Sequence, residues 1–151
     1  MLYEFLIAYV VLLGLSALCR SRQMMRVSLA MLGNWAVNSL FVASTGNFAP
    51  WAWFACVDFV TALVILRNPA GKWQSAIGWV YIAQIVMHFC FAVTNNPDGI
   101  YPYWLWLTRL AWVQILLVAT WGIGGGLRAG IRRLFGRPHH PVPHGMAGME
   151  P

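Results

Sequence analysis

The stretch WFACVDFVTALVIL, residues 53–66, is apolar enough to sit in lipid, yet it carries Asp58 near its centre. An ionised carboxylate at such a position costs at least ~2.5 kcal/mol on membrane-insertion scales, so it calls for an opposite charge or a wet cavity beside it. The run therefore has to be read together with its solvent and with whatever answers the carboxylate.

The solvent follows from composition. Of 151 residues, 60% are hydrophobic and only 9% charged, and the mean hydropathy is +0.62. A chain this short cannot enclose so much apolar surface in a water-soluble core, because small domains leave too much of their surface outside. Lipid is the expected surround. The net charge of +6 and pI near 9.8 could suggest nucleic acid. Apart from Arg109, the ten Lys and Arg residues, however, lie between and after the apolar runs without interleaved aromatics, so no nucleic-acid partner is expected.

Five apolar runs can be traced: 2–18, 27–43, 51–66, 76–93 and 104–123. At about 1.5 Å per residue each spans about 24 to 30 Å as a helix, close to the hydrocarbon thickness of a bilayer. Strands are excluded because the runs are too long for barrel strands, lack alternation, and must satisfy their backbone groups internally. The breaks STGNFAP (44–50), RNPAGK (67–72) and TNNPDGIYP (94–102) are short and rich in turn residues. The fold class expected is all-α: a polytopic membrane protein whose residues 1–123 form a five-helix transmembrane bundle with short loops.

Charge orients it. Arg20, Arg22 and Arg26 follow the first run, Arg67 and Lys72 follow the third, and Arg128, Arg132, Arg133 and Arg137 follow the fifth. The other two loops carry no base, so the positive-inside rule puts the N-terminus outside and the C-terminus in the cytoplasm, with the bacterial inner membrane as the expected location. Aromatic residues agree: Trp51, Trp53, Trp104, Trp106, Tyr101 and Tyr103 gather at the outer interface, and Trp73, Trp79 and Trp121 at the inner one. The first run keeps its place as a span, since its N-terminal flank carries Glu4 rather than a base and the arginines follow it. Residues 124–137 alternate apolar positions with arginines at helical spacing. This suits a basic interfacial segment in which Arg128, Arg132, Arg133 and Arg137 meet anionic lipid headgroups. Residues 138–151 are rich in Pro and Gly and are expected to be a disordered tail.

Counting inward from the outer interface gives each polar residue a depth. Asp58 lies about seven residues below Trp51 and Arg109 about five below Trp104, so both sit about 8 to 11 Å down, and Arg109 is the expected partner of Asp58. Asn38 and His88 fall in the same layer, with Asn34 and Gln84 one turn deeper on the same faces, and Gln114 supplies a similar deeper position. Such a cluster serves either as hydrogen-bonded glue between helices or as a path for an ion, proton or polar solute. A histidine within it adds a group that changes charge near neutral pH.

The remaining signals are weaker. GIGGGLRAG lacks the Lys and Ser/Thr of a phosphate loop, and Gly122 with Gly126 forms a GxxxG only at the membrane edge. His139, His140 and His144 with Met146 and Met149 lie in the tail without a second shell, so no metal site is expected there. Cys19, Cys56 and Cys90 are isolated and read as small buried side chains. One intramembrane histidine is too few for a bis-histidine haem, no lysine lies in a span for a Schiff base, and HExxH and GxSxG are missing. No cofactor and no enzyme activity are expected.

Several spans joined by very short loops and ended by a basic tail resemble the general plan of bacteriophage holins. That resemblance implies membrane permeabilisation or channel formation by assembled copies, with the polar faces lining the lesion, and a homo-oligomer. A small proton-coupled transporter, in which Asp58 and His88 exchange protons and Arg109 sets their affinity, is the second expectation. A structural subunit held together by the cluster, or docked through it to another membrane protein, is the third.

Overall fold

The structure, a computed structural model, describes residues 2–47, 50–69, 71–94, 99–122 and 124. Five α-helices follow one another: α1 (Leu2–Leu18), α2 (Arg22–Thr45), α3 (Trp51–Leu66), α4 (Lys72–Thr94) and α5 (Ile100–Leu117), the last running into a π-helical turn at Val118–Gly122. No strand occurs among the described residues. Three helices are long and apolar enough to cross a membrane: α2, α4, and α5 taken through Thr120. At about 1.5 Å per residue they reach roughly 31 to 36 Å, while the shorter apolar helices α1 and α3 reach about 24 to 26 Å. The basic segment and tail expected at 124–137 and 138–151 lie outside the described residues, Gly124 excepted.

Helices α2 and α4 extend beyond the apolar runs that suggested them, and in α2 the ends are set by backbone capping. At the first junction Arg20 takes the left-handed conformation (φ 49). There the Ser21 N–H bonds the Ser16 carbonyl at 3.2 Å and the Arg20 N–H bonds that of Ala17 at 3.0 Å, a Schellman closure of α1. Ser21 then caps α2, its hydroxyl accepting from the Met24 N–H at 3.3 Å. Gly46 (φ 65) ends α2 at the other side, where a Cβ would be strained.

Consecutive helices pack up and down. Ser16 late in α1 lies 3.4 Å from Ser28 early in α2. Phe41 late in α2 stacks on Trp53 early in α3 at 4.6 Å, and Arg26 early in α2 bonds the Ile65 and Asn68 carbonyls at the end of α3. Finally α5 returns against α1, with Phe5 and Trp112 rings 5.1 Å apart, so the bundle closes.

The burial pattern is reversed relative to a soluble bundle. Each helix buries one stripe, on α3 the residues Phe54, Ala55, Asp58, Thr61, Ala62 and Ile65, at the three-and-four spacing that defines one face. The opposite face is no more polar: Phe59, Val60, Leu63 and Val64 point outward, as do Val86, Phe89 and Val93 on α4. Buried Asp58, Gln74, Gln84, His88 and Gln114 sit inside. An apolar girth this extensive would be a liability in water and suits contact with acyl chains. Cys56 and Cys90, expected to be buried, lie on this outward face, while Cys19 is half-buried in the first junction. A small apolar side chain is as well solvated by lipid as by a core.

Helices α3 and α4 approach closely at Gly78, where a Cβ would come within 2.7 Å of the Leu66 side chain. Gly78→Val should therefore cost about 1–3 kcal/mol through overpacking, and Leu66→Ala in the same chain should recover part of it. Thermal unfolding of the purified single and double variants measures both, and strict additivity would remove Leu66 as the obstacle.

Candidate functional site

Asp58 is answered from two helices, with a third one bond further on. Its Oδ2 lies 3.0 Å from His88 Nε2 on α4, and its Oδ1 accepts from Asn34 Nδ2 on α2 at 2.8 Å. The other ring nitrogen, His88 Nδ1, lies 2.7 Å from the hydroxyl of Tyr103 on α5. Asp58 and His88 are 5% and 1% exposed, so the pair is closed off from whatever surrounds the bundle.

The local geometry of each helix aims these groups. On α4 the buried residues Gln74, Ile77, Gly78, Tyr81, Gln84 and His88 keep the three-and-four spacing, so His88 shares a stripe with the apolar core. On α2, Asn34 and Asn38 are one turn apart. The Asn34 amide is used throughout: its Nδ2 donates to Asp58 and, at 3.1 Å, to the Thr61 hydroxyl, while its Oδ1 accepts from Asn38 Nδ2 at 3.2 Å. Thr61 can accept because it spends its own proton on the Val57 carbonyl at 2.8 Å. The Asn38 carbonyl oxygen is buried and has no hydrogen-bond partner, so the network ends there on a free acceptor. Gln84 and Gln114 form a separate link between α4 and α5, Gln114 Nε2 donating to Gln84 Oε1 at 2.8 Å.

Aromatic rings wall the histidine. Phe54 and Tyr103 lie 5.8 and 5.7 Å from its ring, Phe91 stacks on Tyr103 at 4.3 Å, and Trp104 meets Phe54 edge-on at 5.6 Å. Tyr103 is in the first turn of α5, so the chain Tyr103–His88–Asp58–Asn34–Asn38 starts near one end of the bundle and runs inward across four helices.

The expected Asp58–Arg109 pair does not form. Arg109 is exposed, and its guanidinium lies over the Trp106 ring, 5.0 Å from the centroid. Residues two apart on a helix differ by about 200° in azimuth, and Arg109 is two residues from the buried Leu107, so it faces away from the core. Its long side chain leans back toward the helix N-terminus, as helical side chains do, and rests on the ring one turn earlier. Thus Asp58, His88, Asn34 and Asn38 are brought together, Gln84 and Gln114 pair beside them, and Arg109 stands apart. The headgroup candidates Arg128, Arg132, Arg133 and Arg137 lie outside the described residues.

Two members of the site escape a reading of the sequence. Tyr103 counts there as an interface aromatic, but it is buried and hydrogen-bonded. The available signal was its spacing, four residues before Leu107 and eleven before Gln114, all on the buried face. Thr61, three residues after Asp58, was legible only as a β-branched apolar substitute.

No protein-family model matches this chain, and neither the curated proteins nor the solved structures contain a match to it. The site must be read from its own chemistry.

The hydrogen-bond pattern makes the energetic roles separable. Replacing His88 with Leu leaves a buried carboxylate with half its donors and should destabilise the protein by about 3–5 kcal/mol, whereas Asp58→Asn/His88→Gln together should cost less than the sum of the two singles. Tyr103→Phe should cost about 1 kcal/mol. Arg109→Gln should stay within about 0.5 kcal/mol and be additive with Asp58→Asn. Unfolding of the purified variants in one detergent gives these values, and strong coupling between positions 58 and 109 would contradict the geometry.

Proposed function

We propose that all five helices cross the membrane, with the N-terminus outside, and that the protein is a small proton-coupled carrier of a bacterial inner membrane whose proton site is the Asp58–His88 pair. The topology is supported by the placement of Arg20, Arg22, Arg26, Arg67 and Lys72 in or beside the two connections at one end of the bundle. Helices α1 and α3 are then short spans that lie nearly upright.

One observation carries the proton assignment: the site can take up a proton without moving a heavy atom. With a neutral imidazole, Nε2–H donates to Asp58 and the Tyr103 hydroxyl donates to Nδ1. With an imidazolium, both ring nitrogens donate, and the hydroxyl, which can donate or accept, needs only to rotate. In both states Asp58 remains an acceptor for Asn34. A buried histidine whose two ring nitrogens keep a partner in both charge states at one geometry is suited to bind and release a proton within a transport cycle.

A second reading, permeabilisation by assembled copies, is favoured by a groove of about 370 Å³ between α2 and α3. It opens on the outward side along Ala30, Gly33 and Val60, with Asn34 and Thr61 in its lining, so a second copy placed there would cover polar atoms. Against this, His88, Gln84 and Gln114 face the interior of a single chain and do not present a shared lumen.

The two readings separate on expression in a bacterial host. A carrier changes the cell's small-molecule content in a manner that depends on the external pH and disappears in Asp58→Asn and His88→Gln but persists in Arg109→Gln. Membrane potential should meanwhile stay steady. Abrupt depolarisation with dye entry, abolished by filling the groove with Gly33→Leu, would replace the carrier with the permeabilising assembly. Unchanged content and unchanged potential would leave the polar network as helix glue.

A further inference from the structure

We infer that the junction between α1 and α2 holds one anionic phospholipid, its phosphate on Arg20 and Arg22 and an acyl chain along Ala17, Met25 and Leu29. A groove of about 440 Å³ runs between the two helices at this end, and these five residues line it with Arg26, Ser16 and Ser21. It shares no residue with the Asp58 network and does not depend on how that network functions.

The groove has the polarity of a lipid along its length. Arg22, Met25, Arg26 and Leu29 recur at three-and-four spacing and form one face of the first two turns of α2. The charges stand at the helix end, and Leu29 lies roughly 10 Å deeper at about 1.5 Å per residue. Leu29 is 52% exposed, and Ala17 beside it is also uncovered, so the apolar floor has no protein over it.

The charge at the mouth is unanswered by protein. Arg20 and Arg22 are exposed and make no ion pair or hydrogen bond through their side chains among the described residues. Arg26 is half-buried, with Nη2 donating to the Asn68 and Ile65 carbonyls at 2.9 and 3.4 Å and its Nε left without a partner. Asn68 stands between Arg67 and Lys72, so five basic residues gather at this end. The described acidic residues are Glu4, in the first turn of α1 and therefore at the opposite end, and Asp58, engaged with His88. A phosphodiester supplies the missing anion and accepts from guanidinium donors in a fork geometry. The attached acyl chain distinguishes this ligand from free phosphate, because only a lipid covers the apolar floor.

The test uses the full-length protein in nanodiscs of phosphatidylcholine containing a small fraction of phosphatidylglycerol, with retained lipid read by native mass spectrometry. One phosphatidylglycerol should stay bound in preference to phosphatidylcholine, and millimolar inorganic phosphate should not displace it. Arg20→Gln/Arg22→Gln keeps both stems but removes two charges, and should weaken retention about 30-fold, from about 1 kcal/mol per basic residue at a membrane surface and 1.4 kcal/mol per tenfold. Leu29→Trp, which fills the floor without altering charge, should also weaken it. Replacement of Arg128, Arg132, Arg133 and Arg137 by Gln should leave it in place. Equal retention of both lipids, displacement by inorganic phosphate, or loss only in the variant at 128–137 would each overturn the proposal. Helical circular dichroism confirms that the compared variants are folded.

Discussion

The fold is organised around the need to satisfy a carboxylate in a medium of low dielectric. Removing the Asp58 charge from water is affordable only if donors surround it, and the donors come from side chains on other helices. Asn34 and His88 are therefore held at the height of Asp58, and Tyr103 at the height of His88. Each bond of the chain sets the register of one helix against the next, so four helices are locked to a common layer by one side chain.

This explains the arrangement of polar and apolar matter. In lipid, helices gain little by hiding apolar faces from one another, and association depends on packing and on interhelical polar contacts. The inward stripe accordingly carries the polar groups, while the outward face is left to Phe, Leu and Val. Where the layer of polar bonds ends, close packing takes over. Met24, Val27, Met31, Ile65 and Ile77 form an apolar core at the arginine-rich end, and Gly78 admits Leu66 between α3 and α4.

The two ends of the bundle are chemically unlike. One joins its helices through a capped turn rich in arginine, where Arg26 ties α2 to the end of α3. The other carries Trp51, Trp53, Tyr101 and Trp106 on its surface, and Tyr103 leads inward from it to the buried pair. The proton site and the lipid site proposed above draw on the two ends of that asymmetry, the first on the tyrosine end and the second on the arginine end.

Apolar runs of 16 to 20 residues, interrupted by Pro, Gly and Asn, were enough to specify helices, because a backbone surrounded by apolar side chains has few other ways to satisfy its own hydrogen bonds. Depth was legible too, since a helix advances about 1.5 Å per residue, and counting placed Asn34, Asn38, Asp58 and His88 within two adjacent turns. Azimuth was not. A residue's height follows from its own helix, but the direction it faces matters only relative to neighbours whose rotation is set by packing. Arg109 and His88 were thus equal in height as partners for Asp58, and the packing of α4 and α5 turned His88 and Tyr103 inward and Arg109 out. Sequence alone determined the helices and the level of the charge; tertiary structure decided which side chain answers it, because that depends on rotations about five axes that only mutual contact can fix.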